Sequence, residues 1–145
     1  MPVYQIVTSG VDLSQEQRDT LATQITKTHH DVTGAPDPFI RVAFQPMPLG
    51  LMYTAGKIEP SLALAGNCRA GRSDQTRHEL LHKLYEVVQD VVDLPPDQVL
   101  IAINETPSSW LMEGGLELPE PTHDAEVAWM KQLNEMFPGK YAQWV

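Results

Sequence analysis

The chain is 145 residues long, with 42% hydrophobic and 20% charged residues, the balance of a globular protein rather than a disordered one. That length is enough for one domain with a core of ordinary size. A formal net charge of −9 argues against nucleic acid or an anionic membrane as partner, but a local pair of arginines can still draw a small anionic substrate.

No stretch approaches the roughly 18 apolar residues of a membrane span, and the N-terminus lacks the basic and apolar blocks of a secretion signal. The single cysteine, Cys68, permits no internal disulfide, which fits a reducing cytoplasm, and it reads as a small buried filler. No metal site is expected, because the adjacent His29 and His30 point in different directions on a helix.

The chain opens MPVYQIVTSG, with Pro2 directly before a run that reads as a strand, a position where proline is tolerated. Removal of Met1 would leave Pro2 as a free secondary amine, able to exchange a proton near neutrality if its surroundings lower its pKa. Ser14 is a good helix cap, and Leu21, Ala22, Ile25, His29 and Val32 follow at helical spacing. A proline-bearing turn leads to the alternation Ile40, Val42, Phe44. GLMYTAG at 50–56 reads as a short hairpin or loop.

The pattern then repeats at a shift of 59 residues. Strand LALAGN precedes a second capped helix from Ser73 with Leu80, Leu81, Leu84, Val88 and Val91, and Val99, Ile101, Ile103 alternate after Pro95. Residues 107–121 are rich in turn formers, with an exposed-looking Trp110 and Met112. From Thr122 a final amphipathic helix carries Val127, Met130, Leu133 and Phe137.

Strand, helix, strand, occurring twice, predicts an α/β (α+β) fold with two parallel β-α-β units. Together they make a four-stranded mixed sheet with two helices on one face, plus a C-terminal helix. The expected organisation is a single domain over 1–145, with pseudo-repeats at about 2–48 and 61–107 and an extension at 108–145. The other face carries Phe39, Ala43, Leu100 and Ala102, and its apolar character predicts burial against further copies of the chain.

Besides Pro2, three features carry chemistry. CRAGRS at 68–73 sets Arg69 and Arg72 in the turn before a helix cap, a place suited to a carboxylate, although two solvated loop arginines are the commoner outcome. If the first strands of the two units pair antiparallel, these arginines approach Pro2. His29 lies on an apolar helix face, as a satisfied core residue or as a donor at a pocket rim. Glu113, in WLMEGG, is either a surface turn residue or a general base that activates water.

In this order, these residues resemble the tautomerase superfamily, and within it the cis-3-chloroacrylic acid dehalogenase-like, 4-oxalocrotonate tautomerase-related group. The resemblance spans nearly the whole chain: PVYQIVTS, THHDVTG, CRAGRS, the NETP turn, MEGGLELPEP, and H-x-x-E-x-x-W at His123, Glu126 and Trp129. It implies Pro2 as the catalytic proline, His29 as the helix histidine, Arg69 and Arg72 as the pair that binds substrate carboxylate, and Glu113 as the water-activating glutamate. The dehalogenase tyrosine falls on Ala102, which has no hydroxyl. Family likeness further implies a tautomerase-like homotrimer with no cofactor and no metal. The implied activity is tautomerisation of small 2-oxo or enol acids of phenylpyruvate or 2-hydroxymuconate type, with Pro2 as general base. Alternatives are a hydratase or dehalogenase of three-carbon unsaturated acids with Pro2 as general acid, and a non-catalytic binding oligomer. Trp110, Met112 and Ala102 are the expected pocket lining, with Leu116 and residues of another subunit.

Overall fold

Two β-α-β units, joined by a small hairpin, build the sheet. The first comprises β1 (Val3–Ser9), α1 (Gln15–Thr33) and β2 (Arg41–Met47). The hairpin follows as β3 (Tyr53–Thr54) and β4 (Lys57–Ile58), turning at Ala55-Gly56. The second unit comprises β5 (Ser61–Arg69), α2 (Asp74–Val91) and β6 (Val99–Thr106). These assignments come from a computed structural model that describes residues 1–144; Val145, the last residue of the expected extension, lies outside the described residues.

Local chemistry sets the helix ends. The Ser14 hydroxyl accepts the Gln17 N–H, and the Gln17 side chain returns to the Ser14 N–H, closing a capping box. Gly34 ends α1 in the left-handed region at φ 75°. Ser73 accepts from the Thr76 N–H at the start of α2. Leu21, Ile25 and His29 of α1, and Leu80, Leu84 and Val88 of α2, are the buried faces, as their spacing predicts.

The strand order is β2-β1-β5-β6. Both outer pairs are parallel, while the central pair is antiparallel, running from Val3 opposite Asn67 to Ser9 opposite Ser61. Tyr4, Ile6, Leu62, Leu64 and Cys68 face the helices and form the main core with the two helix stripes. Gly66 is required there: a Cβ on it would lie 2.4 Å from Cε1 of Tyr4, so the tyrosine ring rests directly on the glycine backbone. Leu100, on the other face, is 62% exposed.

The 107–121 segment is more ordered than its turn-rich composition predicts. It holds a second short hairpin, β7 (Met112–Glu113) and β8 (Leu116–Glu117), through Gly114-Gly115, both at positive φ. The last helix, α3 (His123–Met136), forms where expected, but its packed face is rotated. Trp129, Met130 and Leu133 are buried, whereas Val127 is 49% exposed and Phe137 is partly exposed. The cause is visible in what α3 meets. Trp129 stands edge-on to Phe39 at 5.0 Å, and Glu126 on the same side pairs with Arg69. Phe39, expected on the uncovered face, is therefore buried in a second cluster with Leu118, Trp129, Met130 and Leu133. Among the described residues, no helix is long and apolar enough to cross a membrane.

Arg69 is 7% exposed, and its charge is met by Glu126 and by the Pro119 carbonyl at 2.6 Å. Removing one partner of a buried ion pair leaves an uncompensated charge. Glu126→Ala should lower unfolding stability by about 3 kcal/mol, read from the denaturant midpoint. An unchanged midpoint would mean that this pair does not hold α3 to the sheet.

Candidate active site

Antiparallel pairing brings the beginning of β1 beside the end of β5. With Val3 opposite Asn67, Pro2 comes opposite Cys68 and Met1 beside Arg69. Pro2 is fully buried, and its carbonyl accepts the Arg41 N–H at 3.1 Å. Met1 is present, so the Pro2 nitrogen is here an amide, and the Met1 ammonium stands in, one residue farther out, for the amine that trimming would create. That ammonium donates to the Phe39 carbonyl at 2.9 Å and pairs with Glu113. Burial pushes its pKa below the usual α-amino value; Arg41 and Arg69 push the same way, and Glu113 opposes them. The Met1 side chain packs on the second cluster and walls a small recess that also includes Arg69, Glu126 and Trp129.

Glu113 reaches this point through the Gly114-Gly115 turn. A Cβ on Gly114 would lie 2.5 Å from Cδ2 of Leu133, so the hairpin sits flat against α3. Its carboxylate is only 10% exposed: Oε1 meets the Met1 ammonium and, at 3.1 Å, Nη1 of Arg41. Oε2 is buried and has no partner among the described residues.

The two arginines are not equivalent. Arg69 is not in the turn but is the last residue of β5, committed to Glu126 and Pro119. Arg72 does lie in the turn, half-buried, with Nη1 donating to the Arg69 carbonyl at 3.0 Å. No carboxylate lies within 4.0 Å of its guanidinium among the described residues. Its positive charge is thus the unneutralised one of the pair.

His29 is 1% exposed, and its Nδ1 lies 2.7 Å from the Tyr4 hydroxyl. Nε2 is buried with no partner among the described residues. Burial, followed by Arg72, the N-terminal ammonium and Arg69, brings its pKa down to about 3, so the ring is neutral at physiological pH. Buried polar atoms without partners are costly; seven occur among the described residues, and those of Glu113 and His29 are the two that belong to the expected site residues.

Pro2, His29, Arg69, Arg72 and Glu113 are therefore gathered at one end of the sheet. The expected lining residues are not. Trp110 is 78% and Met112 65% exposed, and neither borders the Met1 recess. Ala102 pairs with Ala65 on β6, on the face away from the helices. Within one chain, these three do not close the site. Three residues that do shape it carry no assigned role in the motif reading: Arg41, which holds Glu113, Glu126, which neutralises Arg69, and Tyr4, which engages His29. Glu126 is part of the H-x-x-E-x-x-W motif, and Tyr4 leaves a signal as a phenol on the core-facing phase of a strand that must find a partner when buried.

A protein-family model described as "Putative oxalocrotonate tautomerase enzyme" matches residues 1–134. No curated protein matches the chain. Among solved structures, N1, a member of the cis-3-chloroacrylic acid dehalogenase family, is 30% identical, with 91% of this chain and 96% of that one covered and a TM-score of 0.79. Native Ps01740 is 35% identical over 77% of this chain and 99% of its own, with a TM-score of 0.74. A fused 4-OT solved as an asymmetric trimer is 22% identical over 79% of this chain and 94% of its own, with a TM-score of 0.73, and shows the shared fold. On the strength of the family match and of two relatives at 30% identity or more, the chain belongs to the oxalocrotonate tautomerase family of the tautomerase superfamily.

Proposed function

We propose that the chain is a cofactor-independent tautomerase of small 2-oxo or enol carboxylic acids, with Pro2, freed by removal of Met1, as the general base. The observation that carries this reading is the desolvated N-terminus at the start of β1: burial holds the Met1 amine there below the usual α-amino value even though Glu113 pairs with it. A neutral secondary amine with a pKa near the working pH is the best compromise for moving a proton between carbon and oxygen. Arg72 binds the substrate carboxylate through charge-assisted hydrogen bonds, with Arg69 beside it as a largely compensated charge. His29 meets the carbonyl or carboxylate oxygen. Positive donors held where enolate charge develops lower the barrier of proton abstraction next to a carbonyl.

One observation favours a second reading, addition of water to a three-carbon unsaturated acid. Glu113 is held beside the N-terminus, its Oε1 on the Met1 ammonium and its Oε2 buried without a partner among the described residues, which suits a base for water. In that chemistry Pro2 is a cationic acid that protonates carbon. Ala102 in place of a tyrosine supports ranking it second. We further propose that three chains assemble with their helix-free faces inward, covering Leu100 and bringing a neighbour's residues to Trp110 and Met112.

With phenylpyruvate enol as substrate, Pro2→Ala should lower kcat by about 10²–10⁴, the usual contribution of a positioned acid–base group. Undiminished activity in a folded variant would exclude the proline mechanism. Arg72→Ala should raise KM by the equivalent of about 1.5–3 kcal/mol, the worth of a hydrogen bond to a charged group. Arg69→Ala should instead be read mainly in stability; equal KM effects in both variants would contradict the division of labour. Sedimentation equilibrium should return three chain masses, and a monomer would refute the assembly.

A further inference from the structure

We propose that Tyr4 is a positioning residue that fixes His29 as the tautomer protonated on Nε2, making the imidazole a neutral hydrogen-bond donor to a substrate oxygen. This deepens the tautomerase reading above and rests on it for the identity of that oxygen.

Tyr4 is 0% exposed, so its phenol proton has no water to take it. Two neighbours are in reach: Nδ1 of His29 at 2.7 Å and Sγ of Cys68 at 4.0 Å. Sulfur is a weak acceptor and stands at the limit of contact, whereas an imidazole nitrogen lone pair is a strong acceptor at an ideal separation. The phenol therefore donates to Nδ1, and the Cys68 thiol donates to the phenol oxygen. Donation runs one way along the row: Cys68 to Tyr4, Tyr4 to His29. A neutral imidazole carries one N–H, so with Nδ1 accepting, the proton sits on Nε2.

The reverse arrangement is poorer at each step. Nδ1–H would donate to the phenol oxygen, and the phenol proton would be left with the distant sulfur. Nε2 would then present a bare lone pair to an incoming carboxylate or enolate, where like electron density repels. With Nε2–H free, His29 offers a donor to the oxygen on which enolate charge develops, while Arg72 holds the carboxylate. The depressed pKa of His29 agrees with this, since a neutral ring has a tautomer to be fixed.

The geometry also explains why the phenol cannot swing away. The Tyr4 ring lies over Gly66, where a Cβ would come within 2.4 Å of Cε1 and 2.8 Å of Cδ1. The His29 backbone carbonyl accepts the Thr33 hydroxyl at 2.7 Å within α1. The two rings meet edge to face, 73° apart with centroids at 5.7 Å. The close seat of the Tyr4 ring on Gly66 keeps its hydroxyl directed at Nδ1.

The test is a long-range proton–nitrogen NMR correlation on protein labelled in histidine, comparing wild type with Tyr4→Phe. Wild-type His29 should show a protonated Nε2 and an unprotonated Nδ1, and the variant a mixture in which the two nitrogen signals approach each other. Kinetically, Tyr4→Phe should lower kcat by about tenfold with KM nearly unchanged, a fraction of the 10²–10³ lost when an oxyanion donor is removed outright. A wild-type ring protonated on Nδ1, or a tautomer unaltered in Tyr4→Phe, would overturn the proposal. So would a variant whose loss of activity follows its loss of thermal stability. Failure of the tautomerase reading shows separately, as Pro2→Ala protein that is as active as wild type while the tautomer still depends on Tyr4.

Discussion

Everything at the site depends on the antiparallel pairing of β1 with β5. Each β-α-β unit alone is parallel and brings its second strand beside its first, in register from Val3 opposite Arg41. Only the antiparallel junction between units sets the start of one first strand against the end of the other, Val3 against Asn67. That contact turns a repeated fold into an asymmetric site, because the N-terminus comes from one unit and Arg69 and Arg72 from the other. A shift of the junction by two residues would keep every side chain on its face but carry the arginines nearly 7 Å away from Pro2.

A second constraint is the management of charge in a desolvated corner. Two carboxylates of the C-terminal segment, Glu113 and Glu126, reach back to the sheet and pair there with the Met1 ammonium, Arg41 and Arg69. The extension is therefore a source of counter-charge as well as a cover for Phe39. Buried ion pairs contribute little net stability over apolar packing, since desolvation offsets attraction. Their consequence is positional: they hold guanidinium and carboxylate groups still and leave Arg72, the His29 ring edge and one Glu113 oxygen as the open valences.

The fold was legible because each of its signals is local. Ser14 and Ser73 announce the two helices, the apolar stripes announce their buried faces, and alternation at Ile40–Phe44 and Val99–Ile103 announces the outer strands. The gathering of Pro2, His29, Arg69, Arg72 and Glu113 was legible through family motifs and through the inferred antiparallel junction. What the residues did not disclose depends on long-range packing. Val127 and Phe137 fit a helical stripe as well as Trp129 does, but the stripe that packs is selected by Phe39, ninety residues away in sequence, and by Arg69. Arg69 looked like a turn residue because CRAGRS reads as loop, whereas the strand continues through it to the pairing with Thr106. The partnership of Tyr4 with His29 needs α1 to lie across β1, which spacing alone does not specify.

The buried start of β1 should yield a neutral amine at Pro2, and a single titration decides whether it does. Protein labelled with nitrogen-15 proline is first checked by mass for loss of Met1, and the Pro2 signal is followed by NMR as pH rises. An ordinary α-amino group titrates at about 7.7–8.0, and a secondary amine is intrinsically more basic. The Pro2 midpoint should lie below that range, because burial and the nearby arginines disfavour the ammonium. A midpoint at or above it, or a Pro2 that never titrates because Met1 remains attached, would rule out Pro2 as a neutral base.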